Sequence, residues 1–150
     1  MGEFGSIDEV LEFAVDREVE ANQFYSDLAG RTENTAMHKV FEDFAKEELG
    51  HKAKLEAMKK SKAVTLATVV PNLKIADYVV CAEPTPNVDY KDALILAMQK
   101  EKASFHLYTD LAEVVENENQ KNLFLSLAQE EARHKLRFEI EYDNVLSKGN

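Results

Sequence analysis

The chain has 150 residues, with 18 Lys and Arg against 28 Asp and Glu, a formal net charge of −10. That balance argues against a nucleic-acid binder, which needs a basic face to displace counterions from phosphates. The single cysteine, Cys81, excludes an internal disulfide and any zinc or iron centre built on four thiolates. A first helix is predicted from Ile7 to about Gly30, opened by Ser6 and Glu9 at capping-box spacing. A second runs from Thr35 to about Lys60. Residues 61–89 then form a crossover that holds all three prolines, Pro71, Pro84 and Pro86, and the β-branched run Val64–Val70. A short helix from Leu73 to Val80 is expected within it. The third long helix runs from Tyr90 to about Val115 and the fourth from Asn117 to about Leu146. All four show apolar residues at three- and four-residue steps.

The two helix pairs are copies of one unit. Shifted by 83 residues, positions 11–60 face 94–143 without a gap, and 16 of 50 are identical, where chance gives about three. The short turn inside each copy makes its two helices antiparallel. The crossover reaches roughly 90 Å when extended, against roughly 39 Å for a bundle helix, so it can cross a bundle end to end. The predicted fold is all-α: a ferritin-like four-helix bundle made of two tandem helix pairs joined by a long crossover. It forms a single domain over residues 1–150. The crossover either returns to its own bundle or exchanges helix pairs with a second copy.

Charged residues fall on the apolar faces. On a helical wheel, Glu18 sits with Leu11, Ala14, Ala21, Tyr25 and Leu28, while Glu20 lies on the far side. Glu101 centres the face formed by Leu94, Ala97, Ser104, Tyr108 and Leu111. In the second helix, Glu48 and His51 share the direction of Phe41, Phe44, Leu55 and Met58, and Glu47 lies off it. In the fourth, Glu131 and His134 sit among Phe124, Leu127 and Phe138, with Glu130 to one side. Lys52 and Lys135 follow the histidines in sequence but project about 100° away. His38 and His106 lie off the buried faces, and Cys81 has no evident role.

An interior with four carboxylates and two imidazoles needs neutralising, because each unpaired buried carboxylate costs several kcal/mol. Two divalent metal ions balance four carboxylates. Carboxylate and imidazole donors without thiolate suit iron or manganese better than copper(I). One Glu-x-x-His is a weak signal in Glu-rich helices. Here both copies carry it, and both preceding helices carry an inward Glu at the same offset. Tyr25 and Tyr108 recur seven residues after Glu18 and Glu101. They read either as core aromatics or as donors that orient the metal-bound carboxylates.

On these residues, from EFAVDREVEANQFYSDLA through AKEELGHKAKLE to the second copy, the whole chain resembles the rubrerythrins of the ferritin-like superfamily. The resemblance implies a di-iron centre with Glu18 and Glu101 as terminal ligands and Glu48 and Glu131 as bridges. It gives His51 and His134 one iron each, and Tyr25 and Tyr108 hydrogen bonds to the ligand glutamates. Two departures stand out: the sequence has no CxxC pair of a rubredoxin domain, and Ser104 stands where rubrerythrins place an additional glutamate.

The expected function is a non-haem di-iron oxidoreductase that reduces hydrogen peroxide or dioxygen. Its electrons come from a separate donor such as a rubredoxin-like protein. The alternatives are an iron-binding or ferroxidase protein of ferritin type, and a metal-binding module without turnover. A homodimer is expected, with or without exchanged helices, and no nucleic-acid or membrane partner. The opening MGEFGSIDEV lacks the basic and apolar regions of a signal peptide, so the expected location is the cytoplasm.

Overall fold

The computed structural model describes residues 6–61, 73–80 and 89–148. The described chain is helical almost throughout. The first helix, α1, spans Ile7–Arg31. Ser6 caps it in extended conformation, its hydroxyl accepting from the Glu9 N–H at 3.2 Å, and this satisfies one of the donors a helix start leaves open. The second, α2, spans Thr35–Ser61. After the crossover, α3 spans Tyr90–Val114 and α4 spans Glu118–Lys148.

The repeat reaches into the turns. Asn34 Oδ1 accepts from the Met37 N–H at 3.1 Å, and Asn117 Oδ1 accepts from the Gln120 N–H at 3.1 Å. These asparagines, 83 residues apart, start the second helix of each pair by the same device. Asn117, expected as the first residue of the fourth helix, is therefore its cap.

Helices α1 and α2 form one compact unit, and the 3-10 turn Ile75–Tyr78 with α3 and α4 belongs to a second. In the first unit, Asn22 Nδ2 on α1 donates to the Ala45 carbonyl on α2 at 2.8 Å. The Tyr25 ring meets Phe44 edge-on with centroids 6.4 Å apart. Glu12 and Lys59 form an ion pair across the same two helices. The apolar residues predicted to face inward on α1 and α2 are all buried. Each large one contributes about 1.5–3 kcal/mol of burial.

In the second unit Tyr108 stacks on Phe124, with centroids 6.3 Å apart. Within the crossover, the helix expected over Leu73–Val80 is a single 3-10 turn, Ile75–Tyr78. It is tied down by the buried Tyr78, whose hydroxyl donates to Asp110 Oδ2 on α3 at 2.6 Å. Burial, and then the hydrogen bond to Asp110, push the Tyr78 phenol well above its ordinary value, so it stays protonated and keeps donating. The β-branched run Val64–Val70, the three prolines and Cys81 lie outside the described residues.

A second tyrosine–carboxylate pair joins α3 to α4: Tyr90 Oη donates to Glu141 Oε2 at 3.0 Å. Glu141 is only 6% exposed, so the bond is made where water competes poorly. Tyr90→Phe removes that donor from a buried carboxylate. It is expected to cost about 1–3 kcal/mol, read as a lower urea midpoint at unchanged slope.

Candidate functional site

Each unit holds one buried set of two carboxylates and an imidazole. In the first, α1 supplies Glu18 and α2 supplies Glu48 and His51, one helical turn apart. His51 Nδ1 lies 3.1 Å from Glu18 Oε2 and 3.2 Å from Glu48 Oε1. In the second, α3 supplies Glu101 and α4 supplies Glu131 and His134. His134 Nδ1 lies 2.7 Å from Glu101 Oε2 and 3.5 Å from Glu131 Oε1. In both sets, one potential ligand atom from each residue lies within 4.8 Å of the others. All six side chains are at most 1% exposed.

The local cause is helical spacing. Glu48 and His51, like Glu131 and His134, are three residues apart, which places both side chains on one face of their helix. The preceding helix of each pair then presents its glutamate to the same imidazole.

The donor chemistry fits a metal ion. Two carboxylates against one imidazole leave each set at −1 even with the histidine protonated, and burying uncompensated charge is costly. The lysines that follow the histidines do not turn inward. Lys52 pairs with Glu56 at 3.2 Å and Lys135 with Glu139 at 3.1 Å, each on the outside of its helix. A divalent cation with affinity for oxygen and imidazole donors supplies the missing charge.

The other residues singled out from the sequence fall as follows. Tyr25 and Tyr108 are buried, at 0% and 1% exposure. Glu20 is solvent-facing and paired with Arg17. Glu47 and Glu130 are half-buried. Ser104, placed on the inward face of the third helix, is half-buried and not part of the core. His38 and His106 are exposed, and His38 Nδ1 sits 2.6 Å from the Ala29 carbonyl. The sequence reading missed Glu141, a further buried carboxylate. A signal was present: it lies seven residues after His134, on the same stripe as Phe138.

Comparison with known proteins bears on the fold and the family. A hypothetical protein of Pyrococcus furiosus has the same fold, with a TM-score of 0.76 and 28% identity over 95% of this chain and 92% of that one. A Thermotoga maritima protein described as ferritin-like and diiron-carboxylate has a TM-score of 0.77 at 19% identity, over 94% of this chain and 97% of its own. The fold is thus the ferritin-like, all-α four-helix bundle. The rubrerythrin family model matches residues 9–142, and the chain belongs to the rubrerythrin family. No curated protein matches the chain. No described helix is long and apolar enough to cross a membrane.

Proposed function

We propose that this chain is a non-haem di-iron oxidoreductase that reduces hydrogen peroxide or dioxygen with electrons from a separate donor. The observation that carries the reading is the duplicated, fully buried Glu–Glu–His set on α1–α2 and α3–α4. Glu18, Glu48 and His51 with Glu101, Glu131 and His134 are the residues that would hold two iron ions. When bound, the iron supplies the two electrons that reduce an O–O bond.

The chain's own residues do the rest. Two carboxylates set the charge of each Glu–Glu–His set, and one ferrous ion brings it to zero. Burial keeps bulk water from the reacting oxygen atoms. The imidazoles are fixed by helical spacing rather than by a loop, so the donor set is preorganised. The buried phenols of Tyr25 and Tyr108 are proposed to orient the ligand carboxylates. With one cysteine in 150 residues, the chain offers no thiolate cluster to store further electrons. The proposed electron source is a separate carrier protein.

Anaerobic reconstitution followed by elemental analysis is expected to give two iron ions per chain, held by the six residues. A chain that retains neither iron nor manganese after reconstitution contradicts the reading. Single-turnover mixing of the reduced protein with peroxide then tests the chemistry. One rapid oxidation should be followed by a stall that an added electron carrier relieves. Reduced, iron-loaded protein that reacts with neither peroxide nor dioxygen excludes the enzyme.

A further inference from the structure

We infer that the outer groove between α3 and α4 is the docking face for a small acidic electron-carrier protein. The inference rests on the oxidoreductase reading and adds the surface through which electrons enter. The groove is lined by Lys102, Phe105 and His106 from α3 and by Ala132 and Lys135 from α4. Three of these five are basic residue types and none is acidic, in a chain with a formal charge of −10. An acidic carrier is repelled by the chain's net charge and attracted here, which both steers and orients the encounter.

The centre of the groove is apolar. The Phe105 ring meets the His106 imidazole edge-on, with centroids 5.8 Å apart, and Ala132 stands exposed opposite. An aromatic anchor inside a charged rim suits a small, short-lived interface. Lys135 is held by its pair with Glu139, which offsets its charge and leaves Lys102, among the described residues, as the uncompensated lysine of the rim.

The internal repeat supplies a second, independent observation. All six candidate ligands recur in both copies, yet the α3 side of this surface does not. The positions equivalent to Lys102, Phe105, His106, Ala132 and Lys135 are Val19, Asn22, Gln23, Leu49 and Lys52. Lys135 recurs as Lys52, but the lysine, phenylalanine and histidine of α3 have no counterpart in the other copy. Its location also suits electron entry. Lys102 follows Glu101 and Lys135 follows His134 in sequence, so the groove lies on the outside of the turns that carry those ligands. A carrier seated there is separated from the ligands by about one helix diameter, roughly 10 Å.

The test uses the full-length, iron-loaded chain and an acidic rubredoxin as probe, with affinity measured by titration calorimetry. Saturable binding that weakens as salt is added is expected. Lys102→Glu combined with Lys135→Glu should weaken it at least tenfold. Phe105→Ala should weaken it severalfold without any change of charge. Lys52→Glu, at the equivalent place in the other copy, should leave it unchanged. Helical circular dichroism confirms that each variant is folded. Absence of binding to the unmodified chain overturns the inference. So does a double variant or a Phe105→Ala variant that binds as tightly as the unmodified chain. Sedimentation showing that a second copy of the chain occupies this face overturns it as well. Because affinity is read without turnover, a chain that binds rubredoxin but never oxidises with peroxide refutes the oxidoreductase reading and leaves the docking face established.

Discussion

Glu48→Ala and Glu131→Ala are each expected to abolish the reaction of the reduced protein with peroxide, while Glu20→Ala leaves its rate within about twofold of the unmodified chain. Each of the first two changes removes a fully buried carboxylate that lies beside an imidazole, at 3.2 Å for Glu48 and 3.5 Å for Glu131. Loss of a mere outer partner of a metal ligand typically costs about 10–100-fold in metal affinity or activity, and loss of a ligand should exceed that. Glu20 sits only two residues from Glu18, yet its side chain is 51% exposed and paired with Arg17. It shares the chemistry of the ligands and none of their surroundings. The measurement is single-turnover oxidation, with iron content determined on the same samples. Glu20→Ala as damaging as Glu48→Ala would mean that proximity in sequence, and not facing, defines the site.

Removing the metal is expected to lower the melting temperature by about 10 °C near neutral pH. A ligand present at about 1,000 times its dissociation constant adds about 4 kcal/mol to stability. For a domain of this length, each kcal/mol corresponds to roughly 2–4 °C. The gap should narrow as the pH falls from neutral toward mildly acid. Protons and metal compete for the same carboxylate and imidazole atoms, so metal affinity drops. Protonated carboxylates also repel one another less, which relieves the metal-free form. Both effects have the same sign. Thermal melts of metal-loaded and chelator-treated protein across this range check it, and equal melting temperatures throughout would show that the buried charges are balanced without metal.

How much of this was legible in the sequence depended on how local the cause was. The helix bounds were read to within two residues. Their determinants are short-range: the Ser6 cap, the prolines confined to the crossover, and periodic apolar residues. The six ligand candidates were legible because the repeat supplied a second specimen of each. Glu18 and Glu101, or His51 and His134, checked one another at the fixed offset. Glu141 had no such check. Its equivalent is Met58, and one more glutamate in the acidic end of α4 reads as solvated until Tyr90 is seen to reach it from α3. The crossover was legible least. Tyr78 finds Asp110 across 32 residues, and no periodicity in Leu73–Val80 announces a partner that distant. The same limit hid the groove at Phe105. It is shaped by side chains from two helices, and neither helix alone distinguishes it from an ordinary amphipathic edge.

The Tyr78–Asp110 bond makes opening of the 3-10 turn a separate event from unfolding of the helices. Among the described residues, the buried Tyr78 ring and its hydrogen bond to Asp110 hold the 3-10 turn to α3, with Leu73 buried just before it. Its opening free energy is therefore local and far below the global one. Lys74, exposed immediately before the turn, is a tryptic site. Cleavage after it proceeds through that opened state, and not through global unfolding, as long as reclosing outpaces the protease. Cleavage at Lys74 in a protease-rich setting would then precede unfolding of either helix pair. Both Glu–Glu–His sets would survive that cut, because Glu18, Glu48 and His51 precede it and Glu101, Glu131 and His134 follow it.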